Sequence, residues 1–305
     1  MECKFCSEEV QKLEESHIIS KFIYRWIKNT SITGRLRDIR NINLPVQDGL
    51  KVEFLCEKCE TDFSVGEKVF SEDVFIPFVN SKGSLSLLNS INTTASKKFI
   101  LSIVWRATKY CINDREFNGN FTSKEITKFN ESIDELKEAY KSEGKSTLKI
   151  YIIPTTEEFY NDGILKFNDY AYFERSVSVD FRIYDDKDGR AASFIKIPYF
   201  LIVSEFKSHK KDNWTGLDLF GNLLFDSKKC CIPDYVNDYM EFDCQRAYEE
   251  SDKMSDKQKQ KIADIAEKKI ADLKTKCIRK QGIFSNSYRF IYYTIKKKQR
   301  YSYIR

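Results

Sequence analysis

Histidine is nearly absent: only His17 and His209 occur in 305 residues. Any chemistry that needs an imidazole must use one of them. No run of eighteen apolar residues exists, which argues against a membrane-spanning helix. The opening Met1-Glu2-Cys3-Lys4 has no apolar signal core, so a cytoplasmic protein without a membrane partner is the expectation. The Walker loop, G-x-S-x-G and H-E-x-x-H are all missing, which removes the signatures of P-loop nucleotide hydrolysis, serine hydrolysis and zincin proteolysis. No internal repeat is visible. Acidic residues stop at Asp272, and ten Lys and Arg come after it.

The residues present support a folded core. Hydrophobic residues make up 41% and aromatics 14%, which excludes a wholly disordered chain. The net charge of +5 conceals an asymmetry, because removing the ten basic residues of the tail leaves 41 basic against 46 acidic residues before it. Tyr288, Phe290, Tyr292, Tyr293, Tyr301 and Tyr303 interleave with that tail, which includes Lys296, Lys297 and Lys298. Such a segment fits contact with phosphates and stacked bases. It equally fits a helix with one basic solvated face and one packed aromatic face.

Local pattern suggests two parts, residues 1–80 and 81–305, with an α+β architecture. In the first, "HIISKFIYRWIKNTS" has apolar residues at helical spacing. Asp48-Gly49 is a hairpin turn signal before the strand "KVEFLC", and a short helix starts from the second cysteine pair. In the second, residues 92–112 predict a buried helix capped near Thr93, Thr94 or Ser96. Residues 122–143 predict an amphipathic helix opening at Thr122 or Ser123 and stopped by Gly144. Four β-rich stretches come next, at 146–154, 170–184, 191–206 and 216–225, with "DDKDG" (185–189) as a hairpin turn. They predict an antiparallel sheet with flanking helices. A last helix places Ile262, Ala266, Ile270, Leu273 and Cys277 on one stripe. Glu205, after an apolar strand, and His209, among lysines, read as ordinary strand-end and loop residues.

Nine cysteines in a chain of this kind argue against disulfides. Five (Cys111, Cys230, Cys231, Cys244, Cys277) have no ligand spacing and read as ordinary thiols. The other four form Cys3-x-x-Cys6 and Cys56-x-x-Cys59. Two intervening residues let both thiolates of a pair face one ion from a tight turn, and two such turns complete a tetrahedral sulfur site. Zinc is the expected metal, in a structural role, since a full shell leaves no position for water.

"ESHIIS" followed by "LCEKCETDFSVGE" resembles the HNH endonuclease superfamily, in the branch where Cys-x-x-Cys knuckles flank a ββα-metal motif. The resemblance covers residues 1–80 and implies a metal-dependent endonuclease. On that basis His17 is the general base that takes a proton from water. A divalent cation, Mg2+ or Mn2+, offsets charge at the leaving group. Glu15, Glu60 and Glu67 are the carboxylates implied to hold it. Glu60 and Glu67 stand two helical turns apart, so they share a face. This chain departs from the family pattern at Ser16 (an acid in the family), Ser20 (a proline) and Glu60 (an asparagine). Arg25, Arg35 and Arg37 either grip the nucleic-acid backbone or line a solvated loop. DNA is the expected substrate ahead of RNA, in bacterial defence or a mobile element. The competing expectations are a zinc-stabilised nucleic-acid-binding or regulatory module without cleavage, and an interaction protein or toxin-like partner whose basic aromatic tail docks protein or RNA; a homo-oligomer or a partner protein is also open.

Overall fold

The protein is described from a computed structural model, which covers residues 1–113, 123–143, 146–184 and 190–279. Strand β1 (Glu14–His17) comes first. Helix α1 (Lys21–Thr30) and the short pair β2 (Leu36–Arg37) and β3 (Pro45–Val46) come next, and β4 (Lys51–Leu55) then returns antiparallel to β1. Helix α2 (Glu57–Phe70) runs on through a π-helical turn into α3 (Ile76–Asn80). Beyond it lie α4 (Thr94–Asn113), α5 (Ser123–Lys141), β5 (Lys149–Pro154), α6 (Glu157–Asn161), α7 (Tyr170–Arg175), β6 (Ser178–Tyr184), β7 (Arg190–Ile197) and β8 (Phe200–Lys207). Two helices close the described chain, α8 (Asp234–Asp252) and α9 (Asp256–Arg279). The fold is therefore mixed, with antiparallel sheets. Among the described residues no helix is long and apolar enough to cross a membrane.

The described residues fall into two compact units, one drawn from residues 1–25 and 48–246, the other from residues 26–47 and 247–279. Residues on both sides of the expected break at 80–81 share the first unit. Helix α4 explains this. Phe99, Ile100, Leu101, Ile103 and Val104 are all fully buried, so the helix needs cover on every side. Phe99 stacks on Phe70 of α2 at 4.2 Å between centroids, and Trp105 meets Phe5 edge-on at 5.0 Å. One core thus joins the amino-terminal segment to α4, across the expected break. The expected cap is present, with Thr93 Oγ1 accepting from the Ser96 N–H at 3.3 Å.

The large sheet has the order β5-β8-β7-β6, antiparallel throughout. Three expectations for it are corrected. The stretch 191–206 is two strands, because the chain turns back at Tyr199, which adopts φ 65°. Residues 170–175 are helical, since Asp169 caps them by accepting from the Tyr172 N–H at 2.7 Å. Residues 216–225 make only isolated bridges, Tyr151 to Asp218 and Leu217 to Leu223. The turn expected at 185–189, Thr122, Gly144 and the basic aromatic tail with Lys296, Lys297 and Lys298 lie outside the described residues.

Lys196 on β7 is fully buried, and its Nζ donates to the carbonyls of Ile197 and Phe173 at 2.7 and 2.9 Å. Burial holds its pKa down to about 7, partly offset by the charges of Asp243 and Glu174. The unfolded chain therefore binds more protons than the folded one above pH 7, and stability contributed by this group grows as pH rises from about 7 towards the ordinary lysine value. Lys196→Met is expected to remove that slope. Urea unfolding of both chains at pH 7 and pH 9.5 measures it, and identical pH slopes would refute the assignment.

Candidate metal centre and histidine site

The two cysteine pairs meet. Cys3 and Cys6 sit in a tight turn in which Ser7 takes φ 62° and donates its N–H to the Cys3 carbonyl at 2.9 Å. Cys56 precedes the first residue of α2, and Cys59 lies in the helix's first turn. The helix start favours negative charge there. All four Sγ atoms lie within 4.8 Å of one another, and Cys6 and Cys56 are 3.7 Å apart. Four sulfurs about 2.3 Å from a central ion in tetrahedral array would stand roughly 3.8 Å apart. The donor set and its spacing therefore fit one metal ion.

The thiols also behave as a set. Burial raises the Cys3 thiol, but the N–H groups of Cys6, Cys56 and Phe5 outweigh it and bring the pKa down to about 7. The Cys56 N–H reaches Cys3 Sγ at 3.3 Å. Burial, with the neighbouring sulfurs, pushes Cys59 far up, and burial raises Cys6. Four anions this close cannot coexist without a cation. Cys111, Cys230, Cys231 and Cys244 lie outside this cluster.

Next to this cluster in the chain, β1 and β4 place adjacent residues on opposite faces. Ser16 is fully buried and donates Oγ to Glu60 Oε2 at 2.7 Å. His17 pairs across the strands with Lys51, and its Nε2 lies 3.0 Å from Asp48 Oδ2. The His17 side chain is 12% exposed and that of Asp48 27%. The same Asp48 oxygen is 3.2 Å from Lys51 Nζ. Burial raises the Asp48 carboxyl, but His17, the Gly49 N–H and Lys51 together hold it down to about 2. A Cβ at Gly49 would lie 1.9 Å from the Tyr24 ring, so a larger residue there would displace that ring, which also neighbours His17 at 6.4 Å. Asp48 was legible only as a turn residue. The signal for its second role is its place just before the strand that pairs with His17.

The carboxylates implied to hold a catalytic cation are not gathered together. Glu15 is exposed on β1 opposite Glu53. Glu60 is engaged by Ser16. Glu67 accepts from Arg106 Nη2 at 2.6 Å. Arg106 is 1% exposed, and it also donates to the His17 carbonyl at 2.9 Å and to Ser20 Oγ at 3.2 Å. Among the described residues the four cysteines are the one group of three or more His, Cys, Asp or Glu side chains placed to hold a metal. Sequence reasoning missed Arg106, whose partners are distant in the chain.

Of the basic residues singled out, Arg25 and Arg35 are exposed, while Arg37 is half-buried and donates Nη1 to the Ile42 carbonyl at 2.7 Å. Glu205 is a buried acceptor for Ser208, Trp214 and Tyr235. His209 Nδ1 accepts from the Lys211 N–H in the adjoining loop. No family model, curated protein or solved structure matches the chain.

Proposed function

We propose that the chain is a phosphodiester hydrolase of the HNH type, acting on DNA, with zinc on Cys3, Cys6, Cys56 and Cys59 as a structural staple. The observation that carries this reading is the His17–Asp48 pair beside Lys51, at the edge of a strand–strand–helix segment bracketed by the four thiols. Asp48 Oδ2 stands 3.0 Å from Nε2 without the alignment of a hydrogen bond; in the proposed mechanism a small turn of the ring lets Asp48 accept the Nε2–H, which leaves the imidazole lone pair on Nδ1. His17 then takes a proton from water as the water attacks phosphorus, the P–O bond to the leaving sugar oxygen breaks, solvent protonates that oxygen, and the imidazolium gives its proton back to solvent. Asp48 stays ionised and stabilises the imidazolium that forms. Lys51, directly across from His17, supplies positive charge for a phosphate oxygen.

The HNH cation does not fit the residues proposed for it. Glu60 and Glu67 are bound to Ser16 and Arg106, and Glu15 stands apart, so no step is assigned to Mg2+ or Mn2+. The zinc would have a full sulfur shell, which restricts it to holding the turn at Cys3 against the start of α2.

His17→Ala is expected to slow cleavage of supercoiled plasmid by about 10²–10⁴-fold. Asp48→Asn should slow it as well, through the wrong tautomer, with Km little changed. Cleavage by His17→Ala at the wild-type rate would remove the histidine from the mechanism. The second reading, a zinc-stapled nucleic-acid-binding or regulatory module, is favoured by one observation: both helix glutamates already have protein partners. Wild-type chain that binds DNA or RNA but cuts neither, with Mg2+ or Mn2+ supplied, would select it.

A further inference from the structure

The second unit contains a cleft that the proposed chemistry does not use. It has a volume of about 130 Å³, room for more than a single water. Arg35 and Arg37 line one part of it, and Lys261 of α9 another. Ile262 and Ile265 give it an apolar wall, and Thr33 and Gln258 add neutral polar groups. No acidic side chain lines it among the described residues.

We infer that this cleft is an anion site that takes a phosphate group. Three cationic residues line one concavity that has no acidic residue in its lining, and like charges gathered together repel unless an anion sits among them. Arg37 shows that cost: burial and the neighbouring Arg35 charge lower its pKa. Its guanidinium is held in place, because Nη1 donates to the Ile42 carbonyl at 2.7 Å. The remaining N–H groups form a fixed planar fork suited to phosphate oxygens. Backbone on both sides of the cleft is tied, since the Ser255 N–H donates to Asn43 Oδ1 at 2.8 Å. The aliphatic wall suits the sugar or base that a phosphodiester carries beside its charge. This rests on the hydrolase reading for one point, that the phosphate belongs to a nucleic-acid backbone; a free phosphate ester has the same charged group.

The test uses the full chain with His17→Ala, so that bound substrate persists. Fluorescence anisotropy with labelled single-stranded DNA at several salt concentrations reports backbone binding, and calorimetry with inorganic pyrophosphate reports a free phosphate ligand. Lys261→Gln and Arg35→Gln change exposed side chains, so folding is not at risk. Each is expected to weaken DNA binding and to reduce the slope of log K against log salt by about 0.7. Arg37→Lys keeps the charge but loses the fork, and should weaken affinity several-fold with the salt slope unchanged. If pyrophosphate binding is lost in the variants while DNA binding is unchanged, the cleft holds a small phosphate ester. If neither ligand responds to any of the three substitutions, the inference is overturned. A wild-type chain that never cuts, with DNA affinity still lost in Lys261→Gln, overturns the hydrolase reading and leaves the cleft standing.

Discussion

Cys59→Ser is expected to take bound zinc from about one ion per chain to a negligible level and to lower the thermal midpoint by roughly 10 °C or more. The chain presents four sulfurs within 4.8 Å of one another, three of them buried. Structural zinc in small finger peptides contributes on the order of 10 kcal/mol to folding. The effect here should be smaller, because the segment around the thiols also packs through Phe5, Phe63 and Trp105, with Phe5 4.8 Å from Phe63. A loss of several kcal/mol in a unit of this size still corresponds to about 10 °C. Serine cannot supply the thiolate, and the three remaining sulfurs would recruit water or release the ion. Metal analysis with thermal unfolding, beside Cys231→Ser as a control outside the cluster, decides the matter. Equal zinc in both variants, or none in the wild type, would refute the staple.

Local signals were legible where the chemistry is local. The knuckle spacing located the sulfur cluster, and the first turn after Cys56 located α2. The apolar run of α4 declared a helix buried all round. Long-range pairing was not legible. The turn at Tyr199 carries no glycine, and its left-handed backbone is held by context: its N–H donates to the Phe173 carbonyl at 2.7 Å and its ring packs on Phe78. Helix α8 was missed because Tyr235, Asn237, Tyr239 and Asp243 are weak helix formers, and all four are buried. Packing overrode propensity there. The same limit applies at the site. Shared-face reasoning correctly placed Glu60 and Glu67 on one helix, but it could not know that Ser16 and Arg106 would meet them.

Arg106 carries the second large effect. Its guanidinium is removed from water, and Glu67, whose side chain is 21% exposed, is its carboxylate partner. Arg106→Met leaves the His17 carbonyl and the Ser20 hydroxyl without their donor and strands a half-buried carboxylate. The expected cost is about 3–5 kcal/mol, since breaking a buried pair leaves an uncompensated charge. Arg106→Lys should recover little, because one ammonium cannot reach Glu67, Ser20 and the His17 carbonyl together. Glu67→Met with Arg106→Met removes both charges and is expected to be more stable than Arg106→Met alone. Urea midpoints of the two single variants and the double measure this coupling, and simple additivity within about 0.5 kcal/mol would refute it. Activity separates packing from positioning. The guanidinium holds the strand carrying His17 from outside the first eighty residues, so a stabilised double variant that folds but cleaves slowly places Arg106 among the groups that position the base. Wild-type cleavage by that double variant would restrict Arg106 to stability.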